Sequence, residues 1–295
     1  MCLEEQRSFP LAQDSHIEVV SEWYDVHPIN EQQILEKLEQ DDVDTSQLSE
    51  DILQNYDQDH FGGVEANDEL ARLAGLDENC HLLDVCSGMG GPARYQAHNY
   101  GCRVTGIDLT ESRVAGAIRL TEMVGLSDRV TFQCANALDN HFPDRSFDVV
   151  ISQEAFCHIP KKSKLVNECV RVLKTGGRMA FTDIVKRDRM TDQARDRLQN
   201  EMMFTELETQ AGYGRLLERE GCKVMEMQDV SEHWAEILVA RLAMYRSLRS
   251  QTVAHFGAAH FEKWDNAYDH FVGLVKTGEL GGCRFHGRLR SGHIS

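Results

Sequence analysis

Three features of the chain predict an α/β fold with a seven-stranded, mostly parallel sheet and helices on both faces. From residue 80 onward short apolar runs alternate with amphipathic stretches, a glycine-rich loop follows the first run, and an acidic turn follows the second. The first strand is expected at 81–85 (HLLDV), followed by strands at 102–107, 129–134, 147–151, 178–184 and 223–227 and a last, alternating one at 282–289. Helices are expected between them near 92–99, 111–124, 161–174 and 207–220. The third repeats apolar residues at helical spacing, with Leu165, Cys169, Val172 and Leu173 on one face. Ligands of such sheets bind beyond the carboxyl ends of the strands, which directs attention to the strand-to-helix loops.

Three stretches fall outside that rhythm. Residues 1–65 hold a helix around 30–40 and an acidic, turn-rich run leading into YDQDHFGG. Residues 187–206 read as a polar helical insertion, and 231–276 as two helices, 231–256 and 259–275, placed where a cap over the ligand edge would be built. The expected organisation is an N-terminal lid (1–65), a ligand-binding core (66–186), and the remaining sheet with its helical cap (187–295).

Charge is concentrated in the first of these. Residues 1–65 carry 17 acids and two bases, Arg7 and Lys37, whereas the rest of the chain is nearly neutral; the total is −17. No basic face is available to displace counterions from phosphates, which argues against nucleic-acid and anionic-membrane partners. No window reaches the roughly 20 apolar residues of a membrane span, and the first ten residues lack the order of a secretion signal. The nine cysteines show no zinc-site spacing and leave one out of any disulfide set, so reduced thiols, no metal and a cytoplasmic protein are expected.

The first loop, LLDVCSGMGG at 82–91, has glycines at 88, 90 and 91 that allow a tight turn and close approach to a ligand. Asp84 stands directly ahead of it, where a carboxylate repels a pyrophosphate but accepts from an ammonium. The second strand ends in GIDLTES, placing Asp108 where it can take both hydroxyls of a ribose. The third runs into CANALD, offering Asn136 and the Ala137 amide to an adenine edge. An amino-acid tail, a ribose and an adenine met in chain order describe S-adenosylmethionine. The sequence resembles the class I S-adenosylmethionine-dependent methyltransferases over residues ~60–290, with Asn136 replacing the usual Asp of the adenine motif. The resemblance implies a Rossmann-like core and a cofactor site including His60, Asp84, Ser87, Gly88, Gly90, Asp108, Leu109, Asn136, Ala137 and Gln153.

After the fourth strand, SQEAFCHIP resembles the sarcosine/dimethylglycine and phosphoethanolamine N-methyltransferases. By that resemblance His158 belongs to a catalytic Tyr/His pair whose tyrosine is Tyr24 or Tyr56, and Glu154 attracts the acceptor ammonium or complements a helix start. His60 and Phe61 are expected to cover the methionine moiety, with Gly62 and Gly63 as a hinge. Arg241, Tyr245 and Arg284 are candidates for a substrate carboxylate. Asp183 is placed at the pocket edge or as a helix cap. Trp23, Tyr24 and Tyr56 mark the later part of the acidic segment as an ordered lid, with Asp57 and Asp59 contributing negative charge that favours a cationic amine. The expected activity is methyl transfer to the nitrogen of a small amine such as sarcosine or dimethylglycine. An S-, O- or C-methyltransferase of a natural product or lipid, and an inactive S-adenosylmethionine-binding interaction protein, stand as alternatives. The partner is a small-molecule acceptor, and a homo-oligomer is compatible.

Overall fold

A computed structural model describes residues 19, 20, 24 and 30–291; Trp23 lies outside the described residues. Seven strands form one sheet in the order β3-β2-β1-β4-β5-β7-β6. They are β1 (His81–Val85), β2 (Arg103–Asp108), β3 (Val130–Cys134), β4 (Phe147–Gln153), β5 (Leu173–Lys186), β6 (Cys222–Asp229) and β7 (Leu280–Leu289). β1 pairs in parallel with β2 and β4, while β7 runs antiparallel between β5 and β6. The chain leaves β1 toward one edge and returns at β4 toward the other, so the loops after β1 and β4 diverge and open a crevice between them.

Both faces of the sheet are covered, which explains why its strands read as apolar runs. Leu83, Val150, Phe181 and Phe285 pack with helices Lys162–Arg171 and Gln210–Arg219 on one side. Leu82, Val104, Val149 and Ala180 pack with helices Gly63–Ala74, Gly91–Tyr100 and Glu111–Met123 on the other. A third apolar cluster lies under the cap, where Leu198, Met202, Phe204, Trp234, Leu238 and Phe271 meet Ile184 and Cys157.

Several boundaries differ from expectation for local reasons. The 187–206 insertion is helical only over Asp192–Met202; Thr191 caps its start by accepting from the Ala194 N–H, and Met203, at φ 56°, ends it. The stretch 231–256 breaks at Leu248 into Ser231–Ser247 and Arg249–Phe256, and Gly257, at φ 87°, starts the long helix Ala258–Thr277. β5 begins five residues early, ahead of a register irregularity between Phe147 and Val149 on its partner.

The N-terminal segment is docked rather than appended. Ile34, Leu38, Leu48 and Leu53 pack on Met89 of the glycine loop and on Leu120. Its acids meet arginines of the body: Glu31 with Arg119, Asp59 with Arg113, and Asp57 with Arg94. Asp57 and Asp59 are therefore paired, which corrects the expectation of a negatively charged lining. Arg94 is wholly buried and binds Asp57 at 2.7 Å, the Met89 carbonyl at 2.8 Å, and Ala117 O and Thr121 Oγ1 at 3.2 and 3.1 Å. Burial, and then the charge of Asp57, holds the neighbouring Glu50 well above the usual carboxylate range, so Asp57 supplies the counter-charge.

Arg94→Met is expected to destabilise the protein by about 3–5 kcal/mol, because it leaves a buried carboxylate without its partner. Urea denaturation checks this; a loss below ~1 kcal/mol would show that the segment docks through its apolar contacts alone.

Candidate functional site

The crevice holds a cavity walled by the loops after β1, β2, β3 and β4, by lid residues 57–61, and by the cap. Twelve of the thirteen residues expected at the site line it: Tyr24, His60, Asp84, Ser87, Gly88, Asp108, Leu109, Asn136, Ala137, Gln153, Glu154 and His158. Gly90 does not. Its φ of 79° makes the turn that starts helix Gly91–Tyr100, and a Cβ there would lie 2.4 Å from Phe132.

Three buried acceptors on this wall, Asp84 Oδ2, Ser87 Oγ and Gln153 Oε1, have no hydrogen-bond partner among the described residues. Buried polar atoms are ordinarily bonded, and three acceptors in one wall suit a ligand with several N–H donors, such as an ammonium. Burial, and next the charge of Asp108, pushes the Asp84 carboxyl up to about 7; a bound cation would reverse that shift. Asp108 accepts from the Gly88 and Thr110 N–H groups at 2.9 and 3.0 Å, one on each oxygen, and retains lone pairs for further donors. Asn136 Oδ1 accepts from Leu138 N at 2.9 Å, so its amide is oriented by its own loop. Donors and acceptors of this kind fit an amino-acid tail, a ribose and a base.

The lid turn is fastened from three sides. Glu154 Oε2 accepts the Phe61 N–H at 2.6 Å, and Oε1 the Thr182 hydroxyl at 2.5 Å. Glu154 thus has each oxygen engaged by one protein donor, a use the sequence did not suggest; its φ of 47° is costly for a non-glycine residue. Burial pushes its carboxyl up to about 7. Arg241 donates to the Asp59 and His60 carbonyls at 3.1 and 2.5 Å and lies over the Phe61 ring. His60 is held between Gln58 and Gln153. Gly62 and Gly63 both have positive φ, at 99° and 58°, a conformation that favours glycine at this turn.

At the cap side, the Tyr24 and His158 rings meet edge to face at 5.6 Å. Tyr56 instead reaches out to Asp41 at 3.1 Å, so of the two tyrosines only Tyr24 is at the cavity. Burial raises the Tyr24 phenol well above its usual pKa, keeping it protonated. His158 Nδ1 faces the Met203 carbonyl at 3.3 Å, which assigns the ring proton to Nδ1 and makes Nε2 the basic nitrogen. Phe204 meets the His158 ring at 5.1 Å and Phe271 in turn meets Phe204; Ile184, Met202, Trp264 and Tyr268 also line the cavity.

Some expectations fail. Tyr245 stacks on Phe261 and Arg284 bonds Gln228 on the sheet, both away from the cavity. Asp183 is neither a cavity residue nor a cap: it is wholly buried, accepting from Cys157 N at 3.0 Å and the Tyr213 hydroxyl at 2.7 Å, and so fixes the turn that carries His158. Arg113 went unnoticed in the sequence. Buried in the cavity wall, it binds Asp59 at 3.1 Å and covers the Tyr24 ring at 5.1 Å.

Residues 83–181 match the family described as a methyltransferase domain. Methyltransferase GfsG of Streptomyces halstedii is 30% identical over 211 residues, covering 70% of this chain and 76% of that protein. Sarcosine/dimethylglycine N-methyltransferase of Halorhodospira halochloris is 28% identical over 221 residues, 74% and 77% of the two chains. Among solved structures, Haemonchus contortus phosphoethanolamine N-methyltransferase 2, in complex with S-adenosyl-L-methionine, superposes with a TM-score of 0.72 at 20% identity. The match covers 92% of this chain and 60% of that one, a likeness of fold.

Asp84 titrates against stability in a defined direction. Its folded pKa lies above the ordinary 3.8, so the stability it contributes is present below about pH 4 and is lost as pH rises toward and through 7. Asp84→Asn should make the cofactor-free protein more stable than the parent at pH 8, with the gap closing by pH 4, at up to about 1.4 kcal/mol per pH unit. Denaturation midpoints at the two pH values test it; equal midpoints at pH 8 would mean that Asp84 is ionised without penalty.

Proposed function

Since the chain belongs to the S-adenosylmethionine-dependent methyltransferase family, we propose that it methylates the nitrogen of a small amine, with sarcosine and dimethylglycine as the concrete acceptors. The observation that carries this reading is the Tyr24–His158 pair at the cap side of the cavity, set among aromatic side chains. Aromatic faces attract an alkylated ammonium through cation–π contact, and His158 stands ready as a base. The relative from Halorhodospira halochloris, which bears the name of that reaction, supports it.

In this reading Asp84, Ser87 and Gln153 take the ammonium of the cofactor's tail, Asp108 the ribose hydroxyls, and Asn136 and Ala137 the adenine edge. Bound, S-adenosylmethionine supplies a methyl group already activated by the sulfonium. The chain's own work is then alignment, exclusion of water and proton removal. An amine is mostly protonated near pH 7 and cannot attack until it has lost that proton. His158 Nε2 accepts it, directly or through the Tyr24 hydroxyl, while the bond from Nδ1 to Met203 holds the ring. Arg241 is the one member of the expected carboxylate set that lines the cavity. With two donors on lid carbonyls, it has N–H groups left for an acceptor carboxylate.

A second reading, methyl transfer to a hydroxyl of a natural product, is favoured by the apolar side chains Ile184, Met202, Phe204 and Phe271 beside His158. They would suit an uncharged acceptor equally well.

Incubation with S-adenosylmethionine and a panel of glycine derivatives, other amines and hydroxylated apolar compounds, followed by S-adenosylhomocysteine release, separates the two. Turnover of sarcosine or dimethylglycine is expected; turnover confined to hydroxylated compounds would overturn the amine assignment. With sarcosine, His158→Ala is expected to lower kcat by roughly 10²–10⁴-fold while cofactor Kd holds. An unchanged kcat would reduce His158 to a packing residue.

A further inference from the structure

The cavity wall is joined to the buried Arg94–Asp57 pair by one continuous chain of hydrogen bonds. Arg94 Nη2 donates to Asp57 Oδ2 at 2.7 Å, and Gln58 Nε2 donates to Asp57 Oδ1 at 2.7 Å. Gln58 Oε1 faces His60 Nε2 at 2.9 Å and also accepts from Asn67 Nδ2 at 2.7 Å. His60 Nδ1 then lies 3.0 Å from Gln153 Nε2.

Each link determines the polarity of the next. A carboxylate paired with a buried guanidinium only accepts, so Gln58 must turn its NH₂ group to Asp57 and its oxygen to His60. His60 Nε2 must therefore carry the proton, and a neutral imidazole protonated there has its lone pair on Nδ1. Gln153 can meet that lone pair only with its NH₂ group. The remaining atom of the amide, Gln153 Oε1, is the buried acceptor in the cavity wall that no group among the described residues satisfies. The opposite amide orientation would set oxygen against a lone pair and present donors to the cavity, repelling an ammonium.

We infer that His60 is a positioning residue that acts through Gln153, holding its amide so that the carbonyl oxygen is presented to the ammonium of the cofactor's tail. This rests on the reading of Asp84, Ser87 and Gln153 as the tail's seat. The charged groups around His60 are Arg241, on its carbonyl, Asp59 beside it, and Glu154, on the next N–H. Burial lowers the imidazole to about 4, so the neutral form required by the chain of bonds prevails at neutral pH. Helix Gly91–Tyr100 adds a steric constraint: a Cβ at Gly91 would lie 2.9 Å from Gln58 Nε2 and 2.4 Å from the Asp57 carbonyl, so the chain of bonds runs against the glycine loop itself.

The test is the equilibrium binding, by calorimetry on the full chain, of S-adenosylmethionine and of 5′-methylthioadenosine, which keeps the nucleoside and thioether but lacks the amino-acid tail. His60→Phe and Gln153→Ala should each weaken S-adenosylmethionine about tenfold, the loss expected of one hydrogen bond to a charged group. Both should leave 5′-methylthioadenosine within about twofold, and that binding also reports that the variants are folded. The double variant should be no weaker than Gln153→Ala alone, because His60 has no route to the tail once the amide is gone. His60→Asn, which offers an oxygen near the former Nδ1, should recover most of the affinity. Additive losses in the double variant, or an equal loss for both ligands in His60→Phe, would overturn the inference and leave the seat intact. A Gln153→Ala protein with undiminished preference for S-adenosylmethionine would instead remove the seat, and the inference with it.

Discussion

A guanidinium cannot be enclosed in an apolar interior without an anion to face it. Arg94, on the first turn of the helix that follows the glycine loop, finds that anion 37 residues earlier in the chain. Asp57 is wholly buried with it, and through it the segment that roofs the cavity is tied to the loop that floors it. The same side chain holds the Met89 carbonyl inside the loop and the Ala117 carbonyl on the next helix. Floor, roof and flank are therefore joined through one side chain. The pair need not stabilise the fold more than an apolar substitute would. Its consequence is geometric: it ties the chain just ahead of the turn at residues 58–61 to the glycine loop.

The acidity of the N-terminal segment takes a different meaning from this arrangement. Read as composition, 17 acids against two bases in 65 residues suggests a solvated tail or a negative lining. Glu31, Asp57 and Asp59 instead face Arg119, Arg94 and Arg113 of the body, so these acids dock the segment together with its apolar contacts on Met89 and Leu120. Arg113 extends the docking into the site, because it binds Asp59 on the lid and lies over Tyr24. At Asp57 and Asp59, the two acids of the lid that line the cavity, the charge is matched by Arg94 and Arg113.

What was legible in the sequence follows from how far each signal reaches along the chain. The sheet was readable because strand and helix patterns are local, and the cofactor half of the cavity because glycines, Asp84 and Asp108 lie at fixed distances from strand ends. Arg94, Arg113 and Arg241 carry no such mark. Each sits on a helix with no local motif to single it out, and the partners lie 37, 54 and 181 residues away. Arg241 lines the cavity as its cap position suggested, but nothing local shows that two of its donors go to lid carbonyls. Asp183 was misplaced for a similar reason: the Tyr213 hydroxyl that buries it is 30 residues downstream.

The two halves of the cavity differ in a way that bears on substrate choice. The cofactor half is built from backbone turns and short polar side chains at strand ends, positions that the sheet itself dictates. The acceptor half is built from the cap, where Met202, Phe204, Trp264, Tyr268 and Phe271 come from two separate insertions. Those helices pack on one another through an apolar cluster that could be repacked at little cost to the sheet beneath. His158 bridges the halves: its backbone belongs to the turn after β4, anchored by Asp183, while its ring is held by Met203 and Phe204 from the cap. On the reading proposed above, a change of acceptor can therefore be made in the cap without disturbing either the proposed cofactor seat or His158.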